Sequence, residues 1–133
     1  MLDSLLRFFR RRLTPAARTG RMGERAAAKY LRKELSMDIL ARNFRAGRGE
    51  IDIVARDGNC LVFVEVKTRM ENAQVDGYFS AVSPRKMRVL RRTSLAYLSF
   101  LRRRPPSWRI DVVEVRHGED GKVKSISHFP NVG

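Results

Sequence analysis

The sequence predicts an α/β fold in which a mixed central sheet is flanked by helices. The predicted elements run helix, three strands, helix, two strands, which is an α/β order. The second helix is long enough to act as a crossover that brings the following strand parallel to the preceding one. The length of 133 residues suits one core. We therefore expect a single domain over residues 20–133, preceded by an arm over residues 1–19.

The arm combines apolar side chains at helical spacing with clustered arginines. Its apolar runs are too short to span a membrane. A basic amphipathic helix of this kind binds an anionic membrane surface or reaches along DNA, and the simpler alternative is a mobile arm or a helix packed on a neighbour. We expect Thr14-Pro15 to end it. The apolar positions are Leu2, Leu5, Leu6, Phe9 and Leu13.

A helix is predicted from Arg21 to Leu35, with Gly20 and Gly23 at its entry. Glu24 then falls in the first turn, where the helix dipole favours a carboxylate. A short strand over residues 38–44 follows. The next five residues, 45–49, hold two arginines and two glycines and predict a flexible basic loop.

Two runs with strong β character, residues 51–55 and 61–68, flank an Asp-Gly-Asn turn signal and predict a hairpin. A four-residue loop pairs Arg56 with Leu61 and sets Asp52 opposite Glu65. A two-residue turn sets Asp52 one diagonal step from Glu65. Because side chains alternate along a strand, both registers place the two carboxylates on one face. The same alternation predicts that residues 51, 53 and 55 share the opposite face.

Carboxylates held this close repel each other, and burial penalises their charged forms. Lys67 can neutralise one of them, so one interpretation is a partly exposed ion-pair cluster. The other is a site for a hard divalent cation, Mg²⁺ or Mn²⁺. Asp52, Glu65 and the carbonyl of Val66 would supply oxygen ligands, with water and substrate phosphate completing the shell. Lys67 would then orient or deprotonate a water.

Asp52 followed by Glu65-Val66-Lys67 resembles the PD-(D/E)xK motif of restriction-endonuclease-like nucleases, including archaeal Holliday-junction resolvases. One departure is that Ile51 stands where the motif has proline. The chain resembles the bacterial YraN family more closely, over roughly residues 20–130. The matching stretches are Gly23-Glu24, Tyr30-Leu31, residues 39–43, residues 49–52, residues 63–69 and Asp111-Val112-Val113.

The resemblance implies a restriction-endonuclease-like core with nuclease chemistry. It implies that Asp52 and Glu65 bind the metal and that Lys67 acts on the attacking water. Glu24 matches the acidic residue that these nucleases carry on a preceding helix and would steady metal-bound water. Glu50 would support the metal site or bind a second metal.

The net charge of +14 and the pI near 11.3 predict a polyanionic partner, either nucleic acid or an anionic membrane surface. Ser83-Pro84 marks the start of a helix that should run to about Leu101. No acid interrupts residues 83–104, so ion pairs along this helix cannot neutralise its charge. We therefore predict phosphate binding. The expected contacts are Arg45, Arg48, Arg69, Arg85, Lys86, Arg88 and Arg92.

The remaining features are predicted to be structural. Residues 70–82 read as a loop beside the site, and residues 108–115 and 123–129 as strands. Asp111 is expected to be structural or to pair with a basic helix residue, and His128 to lie on the surface. The single Cys60 allows no intrachain disulfide, which favours a reducing, cytoplasmic location.

The leading hypothesis is a metal-dependent phosphodiesterase acting on DNA rather than RNA, with branched DNA as the substrate that the resolvase resemblance implies. Symmetric junction cutting requires a homodimer. A nucleic-acid-binding module with this fold but no turnover is the first alternative. A peripheral membrane adaptor acting through residues 1–13 is the second. Intact Asp52, Glu65 and Lys67 favour the enzyme, because a pure binder gains nothing from acids facing phosphate.

Overall fold

The computed structural model describes residues 14–74 and 82–133. Within these ranges two helices and five strands follow in the predicted order, which confirms the α/β class. Residues 1–13 of the predicted arm over residues 1–19, with the membrane hypothesis, lie outside the described residues. So do residues 75–81 of the predicted loop. The elements are α1 (Pro15–Lys33), β1 (Asp38–Ala46), β2 (Gly49–Asp57), β3 (Cys60–Met70), α2 (Pro84–Ser99), β4 (Ser107–His117) and β5 (Val123–Phe129).

The five described strands form one mixed sheet in the order β1-β2-β3-β4-β5. The pairs β1–β2, β2–β3 and β4–β5 are antiparallel, whereas β3 and β4 are parallel. The parallel pair follows from the crossover through α2, as predicted. No helix in the described residues is long and apolar enough to cross a membrane.

The two helices pack on opposite faces of the sheet, because alternate strand residues point to opposite sides. In β3, Val62 and Val64 pack with α1, whereas Leu61 and Phe63 pack with α2. Tyr97 of α2 meets the Phe63 ring edge-on, at 5.6 Å between centroids.

Helix α1 begins six residues earlier than predicted. Thr14 is its N-cap, accepting a hydrogen bond from Ala17 N at 3.1 Å, and Pro15 occupies the first turn. Thr14-Pro15 therefore starts a helix, as proline does at this position. The arm helix that this pair was predicted to end lies outside the described residues. Glu24 consequently lies in the third turn, so the helix dipole does not explain it.

Both hairpins close on tight turns. β1 and β2 join through Gly47-Arg48, so Arg45 belongs to β1 and the predicted five-residue basic loop is wrong. In the second hairpin Arg56 pairs with Leu61, as the four-residue loop predicted, but Asp57 also pairs with Cys60 and leaves a two-residue turn.

Strand β2 changes faces at Asp52. Ile53 and Ala55 pack on the α1 side, whereas Ile51 packs on the α2 side with Val54. The predicted common face of residues 51, 53 and 55 is therefore wrong for Ile51. The paired register of β2 and β3 ends at Ile53 and Val64. Residues 49–52 of β2 have no partner in β3, so this pairing does not hold their side chains in the regular alternation of faces.

Asp111 is structural, but its partners differ from those predicted. Its fully buried carboxylate lies 3.0 Å from Arg109 Nε and 2.7 Å from His128 Nε2, and it accepts a hydrogen bond from the backbone N–H of Asn131. None of these partners is in a helix, and His128 is largely buried rather than on the surface. Burial alone would raise the pKa of Asp111, but the bonds to His128, Arg109 and Asn131 together lower it.

Candidate metal and nucleic-acid site

Asp52 and Glu65 lie together where β2 separates from β3. One step beyond the Ile53–Val64 pair sets them side by side. Both line a cleft of about 440 Å³ toward α2 and a second of about 420 Å³ toward α1. The predicted juxtaposition of these two carboxylates is confirmed.

The Asp52 carboxylate is fixed by the neighbouring strand, since its Oδ2 accepts a hydrogen bond from Val66 N at 2.7 Å. Burial and the nearby Glu65 charge raise the pKa of Asp52 to about 8, with smaller contributions from Glu24 and Glu50, although the Val66 bond opposes them. With no cation bound, Asp52 therefore holds a proton at neutral pH.

Glu65 is neutralised by a residue of α2. Its side chain is 7% exposed, and its Oε1 lies 2.5 Å from Lys86 Nζ. Lys86 was predicted to bind phosphate. The structure instead places its ammonium group against a proposed metal ligand, and Lys86 lines both clefts.

Two further carboxylates complete the cluster. With its amide nitrogen turned toward them, Asn43 donates to Glu24 Oε2 at 3.0 Å and to Glu50 Oε1 at 3.3 Å. Burial raises the pKa of Glu24, and the charge of Glu50 raises it further. Glu24, from a different element, thus belongs to the same electrostatic group as Asp52.

The four predicted catalytic residues line a single cleft, the one toward α1. They are Glu24, Asp52, Glu65 and Lys67. Glu50, the third predicted metal-binding residue, lines the cleft toward α2 together with Asp52 and Glu65. The fold therefore brings all five residues to one end of the hairpin.

The donor set suits a hard cation. In residues 14–74 and 82–133 no three His, Cys, Asp or Glu side chains converge closely enough to form a metal site by themselves. Mg²⁺ commonly binds through one or two carboxylates and keeps several waters. Asp52 and Glu65 offer two carboxylates of this kind. Burial and the Glu65 charge raise the pKa of Asp52, so Asp52 would release its proton as the ion binds. Asp52 and Glu65 would hold the ion.

A basic groove adjoins this site. Four of the predicted phosphate contacts line a cleft of about 520 Å³ between the β1–β2 turn and α2, namely Arg48, Arg85, Arg88 and Arg92. Arg48 and Arg85 also line the neighbouring cleft that contains Asp52. The arginines therefore lead directly to the carboxylates, as a strand of phosphates would require.

The two other predicted phosphate contacts lie elsewhere. Arg45 is exposed, with its Nε 3.6 Å from Glu50 Oε1. The Arg69 side chain is only 11% exposed and its Nε lies 3.3 Å from Glu114 Oε2. Arg69 is thus packed at the end of the sheet rather than in the basic groove.

The sequence analysis assigned no role to Asn43, and it did not predict that Gly23 and Gly49 allow close approach of a helix to a strand. Gly23 lets α1 approach β3, since a Cβ there would lie 1.9 Å from Thr68 Oγ1. Gly49 lets α2 approach β2, where a Cβ would lie 1.8 Å from Thr93 Oγ1. Each glycine directly precedes a site carboxylate, so the repeated Gly-Glu pair was the available signal.

Comparison with known proteins gives the family. Residues 23–115 match the model of the "Uncharacterised protein family UPF0102". A UPF0102 protein of Symbiobacterium thermophilum is 46% identical over 107 residues, covering 80% of this chain and 89% of the relative. One of Mycolicibacterium vanbaalenii is 41% identical over 119 residues, covering 87% and 93%. The chain therefore belongs to the UPF0102 family, the YraN-like family that its sequence resembles.

Proposed function

We propose that this protein is a metal-dependent nuclease of the restriction-endonuclease-like kind that acts on DNA. The observation that carries the proposal is the single cleft lined by Glu24, Asp52, Glu65 and Lys67. Burial and the Glu65 charge raise the pKa of Asp52, and a bound cation would favour its charged form.

The topology supports the finer fold assignment. A helix, an antiparallel three-strand unit and a crossover helix lead to a parallel fourth strand. The motif residues lie on β2 and β3, at the point where these strands separate, and Glu24 lies on the preceding helix. That is the arrangement the PD-(D/E)xK resemblance implies.

Each residue has a role that follows from its place. Asp52 and Glu65 would hold Mg²⁺ or Mn²⁺, which when bound polarises the scissile phosphate and stabilises the leaving oxygen. Lys67 lies in the same cleft and would orient the attacking water and offset developing charge. Glu24 would accept hydrogen bonds from water on the α1 side. Arg48, Arg85, Arg88 and Arg92 would hold the phosphate backbone.

One observation favours the alternative, a nucleic-acid-binding module without turnover. The ion pair between Lys86 and Glu65 neutralises a proposed ligand with the chain's own cation. A binder could use this pair permanently. In the nuclease, Lys86 would leave Glu65 when the metal binds and would then be free to contact phosphate.

A cleavage assay separates the two. Linear duplex, flapped duplex, four-way DNA and a matched RNA duplex are incubated with Mg²⁺ or Mn²⁺ and wild-type protein, Asp52→Asn or Lys67→Ala. The nuclease predicts cutting that both substitutions abolish, with DNA binding retained. Absence of cutting and of Mg²⁺ binding in the wild-type protein on every substrate would leave the binding module. Sedimentation with and without four-way DNA tests for the homodimer.

A further inference from the structure

Asn43 has an unusual backbone for a strand residue. Its φ is +54°, in the left-handed region, yet it lies in the middle of β1. Few residues other than glycine adopt this conformation, and asparagine is one that tolerates it. Such residues cluster at functional sites, where the surrounding structure holds them in place.

The distortion lies opposite Asp52. Asn43 stands between the pairs Arg42–Ile53 and Phe44–Ile51. Both strands change faces here. Ala41 and Phe44 both pack on the α2 side although they lie three positions apart. Ile51 and Ile53 pack on opposite sides although they lie two positions apart. Asp52 therefore lies at the point where the alternation breaks.

The side chain of Asn43 acts on the other two carboxylates. With the amide turned so that its nitrogen faces the acids, this nitrogen lies 3.0 Å from Glu24 Oε2 and 3.3 Å from Glu50 Oε1. These acids come from α1 and β2 and repel each other. Burial raises the pKa of Glu24, and the Glu50 charge raises it further. An amide has two N–H donors, so a single Asn can hold both carboxylates without adding charge.

We propose that Asn43 is the positioning residue of the carboxylate cluster. Its left-handed backbone turns Asp52 out of the α2-packed face and toward the clefts, and its amide holds Glu24 and Glu50 at their separation around the cation. The inference rests on the proposed metal site. It adds a residue that contacts neither the cation nor the substrate but sets the geometry of the groups that do.

Substituting glycine for Asn43 separates the effect of the backbone conformation from that of the side-chain amide. Asn43→Gly keeps the left-handed backbone at no steric cost and removes only the amide, whereas Asn43→Val loses both. The matched control is Asn131→Gly, which makes the same change at a φ of +55° in the C-terminal segment. Mg²⁺ affinity is measured by titration calorimetry, and the melting temperature is measured on the same samples.

We expect Asn43→Gly to melt close to wild type but to bind Mg²⁺ about tenfold more weakly, the size of effect seen when groups supporting a metal ligand are removed. Asn131→Gly should bind Mg²⁺ like wild type. In the Glu24→Gln background Asn43→Gly should cost much less than tenfold, because the two act as a unit. If Asn43→Gly binds Mg²⁺ like wild type, or if the effects of Asn43→Gly and Glu24→Gln on Mg²⁺ affinity are fully additive, the role of Asn43 is refuted while the proposed metal site stands. A wild-type protein that binds no Mg²⁺ overturns the proposed metal site and this inference together.

Discussion

Lys86 Nζ lies 2.5 Å from Glu65 Oε1, so the first turn of α2 supplies a cation to the carboxylate that is proposed to bind metal. The ammonium group and a divalent cation would compete for this oxygen. The nuclease therefore has to exchange one for the other.

Replacing Lys86 should tighten metal binding and weaken DNA binding. We expect Lys86→Met to raise Mg²⁺ affinity several-fold, because the competing charge is removed from a nearly buried carboxylate. The control is Arg85→Met, which removes a neighbouring exposed charge that forms no ion pair with an acid of residues 14–74 or 82–133. Calorimetry and DNA titration measure both affinities, and equal Mg²⁺ affinity in the two variants would contradict the competition.

Gly23 should resist substitution because α1 contacts β3 there. A Cβ would lie 1.9 Å from Thr68 Oγ1 and 3.0 Å from Thr68 Cβ, so rotating the threonine does not relieve the clash. We expect Gly23→Ala to lower the free energy of unfolding by about 1–3 kcal/mol.

Gly20 offers a control in the same helix, because a Cβ there has no neighbour within 4 Å. Gly20→Ala should raise stability by about 0.5–1 kcal/mol, the helix preference of alanine over glycine. Urea unfolding of both variants provides the comparison. A loss in Gly20→Ala equal to that in Gly23→Ala would point to a general effect on the helix rather than to this contact.

The metal-free protein should lose stability as the pH rises from about 4 to about 8. The pKa of Asp52 is raised from its ordinary value to about 8 in the folded state. Between these values the folded protein binds the proton that the unfolded chain has released, so raising the pH favours unfolding. Asp52→Asn removes this dependence.

Chemical unfolding in a chelator at pH 4, 6 and 8.5 tests this directly. Asp52→Asn should match wild type near pH 4 and exceed its stability at pH 8.5, by more than about 1.4 kcal/mol, the equivalent of one pKa unit. If Asp52→Asn loses as much unfolding free energy between pH 4 and pH 8.5 as the wild-type protein does, another group causes the pH dependence.

Asp111 should make the protein acid-sensitive. Its pKa is lowered in the folded state, so its stabilising contribution is complete above the ordinary aspartate value and is lost as the pH falls through the lowered value. Asp111→Asn should cost about 3–5 kcal/mol at pH 7, because it leaves Arg109 and His128 without their buried partner. The cost should shrink below pH 4. Thermal unfolding across this range measures it, and a cost independent of pH would instead indicate a packing defect.

Charge reversal in the basic groove should weaken DNA binding regardless of sequence. Arg88→Glu with Arg92→Glu should lower affinity and make the slope of log affinity against log salt less steep by about 0.9 per lost phosphate contact. Reversing Lys29 and Arg32, which are exposed on α1 and line none of the three site clefts, is the charge-matched control. An equal effect in the control would indicate general charge attraction without a defined groove.

The amino-acid sequence by itself determined the element order, the parallel crossover and the pairing of Asp52 with Glu65. These features depend on local signals, namely the alternation of apolar residues, the Asp-Gly-Asn turn and the Ser-Pro helix start. The Arg56–Leu61 pair belonged to one of the two hairpin registers that the sequence left open, because burying one face of a strand permits few registers.

Only the tertiary structure decided where the alternation fails and which charges meet. The alternation fails where Asn43 has a left-handed backbone, which side-chain periodicity does not encode, so the packing face of Ile51 was predicted wrongly. Lys86 reaches Glu65, and His128 reaches Asp111, across more than ten residues of chain. Such contacts depend on how helices and strands pack, and burial then makes their charges interact strongly enough to fix the chemistry of the site.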